Sequence, residues 1–226
     1  MKKNNILKLV TGTLACLTLV CIGGYSYNSH ATDNVENKMV EDEPIIFNEV
    51  SSYDTIYDFS DSDVLAEHSD LIVIGKVNNL DAATNFNPKT KKYSKARTPG
   101  SLEVLQVLKS DGNTRLDTID FLDVGGLLSY SDYEKSLLPA QKAKRDYLMQ
   151  QNGLSTARNN IFVKQSVENQ LEIEEGKTYI MYLTYDENFE KYTVVNQPYG
   201  VKEYNVSTGK VLNHVTNTIE NIEEMM

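Results

Sequence analysis

Cysteine is confined to positions 16 and 21 of a 226-residue chain. From residue 22 onward disulfides, thiol nucleophiles and cysteine-based metal sites are therefore excluded, and stability has to come from packing. Histidine is almost as scarce, with only His30, His68 and His214. None sits in a recognisable nucleophile or metal motif, which removes the usual base for an activated serine. Long apolar runs are also few. The one that stands out, Leu9 to Tyr25, is at the short end of what crosses a bilayer core and is diluted by Thr11, Gly12, Thr13, Gly23 and Gly24.

That run follows a basic start at Lys2, Lys3 and Lys8 and ends at Ser29-His30-Ala31, a small-x-small site. The pattern predicts an export signal over residues 1–31, cleaved after Ala31, and hence an extracytoplasmic or secreted protein. Two alternatives stay open: an uncleaved anchor over residues 9–25, with membrane contact through that segment alone, and lipidation of a cysteine. Cleavage would remove three lysines and no acid, taking the net charge from −10 to −13. So acidic a molecule repels polyphosphates, so no nucleic-acid partner is expected.

Residues 32–50 are polar and acidic and predict a flexible spacer. A single domain follows over residues 51–215, then a tail over residues 216–226. Ser60 is the candidate cap of a short helix carrying Val64, Leu65 and His68. Apolar, β-branched runs at 70–77, 102–109, 116–124, 178–185, 191–196, 201–206 and 210–214 predict strands. The first is apolar on both faces, as befits a central one. Short strands with turn punctuation predict a mainly β fold with minor α: an OB-like antiparallel barrel with a helical insertion over residues 126–170.

Within that insertion, Ser131 and Glu134 have capping-box spacing, Pro139 suits a helix start and Gly153 a left-handed stop. Ala140, Ala143 and Tyr147 with Leu148 or Met149 form an apolar stripe opposite Gln141, Lys142, Lys144 and Arg145. This element reads as a lid on the barrel end, or as a partner-binding hairpin with Tyr130 and Tyr133 as exposed anchors.

DLIVIGKV, LEVLQVLKS, VGG, LEIEEGKTYIMYL and a late YG, over roughly residues 70–206, resemble the barrel of netrin-like modules and tissue inhibitors of metalloproteinases. The chain looks closer still to uncharacterised exported bacterial proteins with the same order of elements. The resemblance implies a fold and no transferable activity. Inhibitors of that family chelate zinc through an N-terminal cysteine, and no cysteine is present beyond residue 21.

KTKKYSKAR, residues 89–97, places Lys89, Lys91, Lys92, Lys95 and Arg97 around Tyr93 in the loop expected between the first two barrel strands, a common ligand face of this fold class. Its composition suits an anionic envelope component. Asp58, Asp61, Asp63, Glu67 and Asp70 lack the spacing of a calcium loop, and Gly125-Gly126 lacks the lysine and hydroxyl of a phosphate cradle, so no metal or cofactor is expected. The reading is a non-enzymatic binding module whose partner is a protein or an anionic envelope component. The alternative is a hydrolase of envelope material, using dispersed carboxylates such as Asp120 or Asp123 with Glu172.

Overall fold

The computed structural model describes residues 43–52, 55–110, 116–154 and 160–222. The expected signal, anchor or lipidation segment lies outside the described residues, and among the described ones no helix is long and apolar enough to cross a membrane. In chain order the elements are β1 (Ile45–Ser51), α1 (Ser62–Glu67), β2 (Leu71–Leu80), β3 (Thr84–Asn87), β4 (Lys92–Ser110), β5 (Thr118–Val124) and β6 (Gly126–Ser129). They continue with α2 (Tyr130–Tyr133), α3 (Pro139–Gln151), β7 (Ile161–Val167), β8 (Thr178–Asp186), β9 (Lys191–Val194), α4 (Gln197–Gly200), β10 (Val201–Asn205), β11 (Lys210–Asn213) and β12 (Thr218–Asn221).

The fold is mainly β, as its strand-forming runs predict. β2 pairs with β4, β4 with β5, β5 with β9, β9 with β8, and β8 returns to β2, so five strands form a barrel-like ring. The ring is mixed: its β5–β9 pair is parallel, with Phe121 opposite Tyr192, while its other pairs are antiparallel. β8 also carries β10, β11 and β12 in an antiparallel extension.

Alternation along β2 explains its unbroken apolar run. Leu71, Val73 and Val77 enter a core with Leu102, Phe121 and Met181, contributed by β4, β5 and β8. Ile72 and Ile74 enter a second cluster on the other face with Leu65 of α1 and Tyr182. A strand covered on both faces has no solvent side to keep polar. α1 is held there by Lys109, whose Nζ donates to the carbonyls of Ala66 and Ser69 at 2.8 and 2.6 Å. Its cap is Asp61 rather than Ser60, accepting from the Asp63 amide at 2.9 Å.

The spacer expectation fails at its end. Ile45–Ser51 forms β1, paired in parallel with β7, and β6 completes a second, three-stranded sheet. Ile45 and Phe47 alternate inward onto a third cluster with Leu128, Ile161 and Val163. The partner strand lies more than a hundred residues away, and no local pattern could announce it. Thr218–Asn221, expected in the tail, pairs with β11 as β12.

The segment expected as a helical insertion thus begins and ends in strands. Its helices close the third cluster, through Tyr130, Tyr133 and Met149, while the ring encloses a different set of side chains. Ser129, not Ser131, caps α2, accepting from the Asp132 amide at 3.1 Å. Pro139 begins α3, and Gly153 takes the left-handed conformation just beyond it.

Candidate functional site

The basic run forms part of a β-hairpin rather than a loop: Lys92 to Arg97 are strand residues of β4, and Lys91 occupies the left-handed position of the turn. Phe86 of β3 faces Tyr93 across the ladder, with ring centroids 5.1 Å apart. Lys89 donates to the Glu187 carbonyl at 2.6 Å and to Glu190 Oε1 at 3.2 Å, and the Arg97 guanidinium lies 4.9 Å from the Phe189 ring centroid. These two cations brace the hairpin on the β8–β9 turn. Lys91, Lys92, Tyr93 and Lys95 remain exposed, Tyr93 to 42%.

The helical segment meets the same hairpin. Asn85 Nδ2 donates to the Asp132 carbonyl at 2.6 Å, and Lys135 Nζ stands 5.9 Å from the centroid of Tyr93. Two regions that look separate in sequence therefore share one surface.

Tyr130 and Tyr133 cannot be its exposed anchors, because they are only 3% and 2% exposed. Tyr133 accepts from Arg145 Nη2 at 2.8 Å, and Tyr130 donates to Asp146 Oδ1 at 3.0 Å. Burial, the largest influence on Tyr133, pushes its hydroxyl up to about 12. The face of α3 turned inward consequently carries Arg145 and Met149, while Ala140, Ala143 and Tyr147 face outward. The expected apolar stripe loses because the two tyrosine hydroxyls need polar partners, which Arg145 and Asp146 supply.

The carboxylates raised for the hydrolase reading separate. Asp120 and Asp123 lie an odd number of residues apart on β5, on opposite faces. Asp120 is exposed, 3.5 Å from Lys191, and Glu172 is exposed and 3.0 Å from Lys164. Asp123 alone is buried, at 8% exposure. Gln197 donates to its Oδ1, and Gln170 Nε2 to its Oδ2 at 3.2 Å and to the Val124 carbonyl at 2.6 Å. Burial outweighs these donors and the nearby positive charge of Arg97, and pushes its carboxyl up to about 7.

Sequence reasoning names Asp123 but misses both glutamines. Their only local signal is position, beside Asn169 and Asn196, two residues with positive φ. Among the described residues, no group of three or more histidine, cysteine or acidic side chains could hold a metal ion.

Comparison of the chain with known protein families, curated proteins and solved structures returns no match.

Proposed function

We propose that the protein is an exported, non-enzymatic binding module of the cell envelope whose β3–β4 hairpin meets an anionic envelope component. The observation that carries this reading is the hairpin itself. On a chain of net charge −10, Lys91, Lys92 and Lys95 stand exposed beside Tyr93, with Lys135 against the same ring. Tyr93 presents a large, amphipathic contact surface at small conformational cost. The local field attracts an anionic polymer, while the rest of the molecule repels it, so contact is confined to the tip.

The double variant Lys91→Glu, Lys92→Glu tests this on immobilised poly(glycerol phosphate). Wild-type protein is retained at low salt and released as ionic strength rises, because exposed charges are screened over about 10 Å at 0.1 M. The variant elutes earlier with an unchanged melting temperature. Equal retention of the two proteins overturns the reading, and so does turnover of an envelope substrate by purified protein.

A further inference from the structure

A concavity of about 270 Å³ lies away from the hairpin, between the segment that precedes α1, the turn after β7 and the turn into α4. One side is aromatic, formed by Tyr57, Phe59 and Tyr199. Tyr57 rests on the His68 imidazole, with centroids 4.2 Å apart, and meets Phe59 edge-on at 6.0 Å. Phe59 and Tyr199 are themselves packed against the cluster on the outer face of β2 and β8. Tyr57, 48% exposed, is the least buried of the three rings.

The other side is polar. Asn169 and Asn196, with φ of 58° and 43°, project from its two turns. Asn196 Oδ1 is buried and has no hydrogen-bond partner among the described residues. Such an atom is unfavourable unless something satisfies it. The two turns are tied together from beneath: Gln170, next to Asn169, and Gln197, next to Asn196, both donate to Asp123. His214 Nε2 lies 2.7 Å from the Asn169 carbonyl and steadies that turn further.

We propose that this concavity binds a neutral saccharide unit, with Tyr57 as the stacking platform and Asn169 and Asn196 as hydrogen-bonding partners. The proposal stands independently of the hairpin reading. Glu168 and Asp58 also line the site and repel anions. An organic cation would be drawn to the acids and rings, but it offers only donors. Amide groups that both donate and accept match hydroxyls that do the same. One oxygen of Asp58 is moreover engaged, since Oδ1 accepts from the Ser60 amide and hydroxyl at 3.1 and 2.5 Å. The volume is just under the roughly 300–1,000 Å³ of pockets for drug-sized ligands, which suits one or two sugar rings.

The test is titration of the full chain, followed by amide resonances, with cellotetraose, chitotetraose and maltotetraose at millimolar concentration, and with spermidine as the cationic probe. At least one saccharide shifts resonances at residues 55–59, 167–169 and 196–199, and spermidine does not. Asn196→Gly removes the amide at a backbone conformation glycine accepts, and Tyr57→Ala removes the platform; each weakens binding about tenfold, equivalent to 1.4 kcal/mol. Tyr57→Phe retains binding, and unchanged melting temperatures show that the fold is intact. No shift with any of the three saccharides, shifts with spermidine alone, or wild-type affinity in both Asn196→Gly and Tyr57→Ala overturns the proposal.

Discussion

Gln197 donates its side-chain amide to Asp123 across 74 residues of sequence, and its own carbonyl oxygen, Oε1, is buried with no hydrogen-bond partner among the described residues. The pair joins α4 to β5 through a carboxyl that burial has pushed up to about 7.

A dependence of stability on pH follows. The folded value, about 7, lies above the ordinary 3.8, so the fold disfavours the ionised form. The favourable contribution is complete below about 3.8, declines as pH rises toward about 7 and is gone above it. Asp123→Asn, which stays neutral, flattens this slope and is more stable than wild type at pH 8. Chemical denaturation midpoints across pH 4 to 9 check both statements, and a wild-type midpoint independent of pH contradicts them.

Tyr130 and Tyr133 belong to the interior, so their replacement acts on stability before it acts on any surface. Alanine at either position costs about 3–5 kcal/mol, the usual loss for a buried aromatic ring. Tyr133→Phe, which removes the acceptor for Arg145 at 2.8 Å and the hydroxyl that bonds Glu49, costs about 1–3 kcal/mol. Thermal unfolding distinguishes these values, and near-neutral alanine variants would place the rings at the surface after all.

Two glycines separate steric from conformational cost. A Cβ at Gly200 would lie 1.9 Å from the Val195 carbonyl oxygen and 2.8 Å from Val194 Cγ1, so the backbone would have to move. At Gly153 nothing lies within 4 Å, but φ is +68°. Gly153→Ala therefore loses about 1–2 kcal/mol, the left-handed penalty alone. Gly200→Ala loses more, and equal unfolding midpoints for the two variants would remove the clash.

The N-terminal strand makes a prediction about truncation. A chain starting at residue 43 keeps β1. One starting at residue 53 loses the parallel partner of β7 together with Ile45 and Phe47, which cover the third cluster. It exposes apolar surface that binds a hydrophobic dye and protects the amides of residues 161–167 poorly against hydrogen exchange. Equal protection in both chains would show that β1 contributes nothing to that sheet.

The strands of the ring are written in local pattern. Leu71 to Ile74 show two buried faces, and Pro139 and Gly153 mark the ends of α3, because such signals depend only on neighbours in sequence. The cationic character of residues 89–97 is equally local. Tertiary structure alone decided the rest. Whether IIFNEVS is spacer or strand depends on β7, and whether two tyrosines are anchors or core depends on Arg145 and Asp146. Whether Asp123 ionises at neutral pH depends on its being enclosed with Gln170 and Gln197. Burial and pairing energies belong to contacts between distant residues, and a chain's order does not contain those distances.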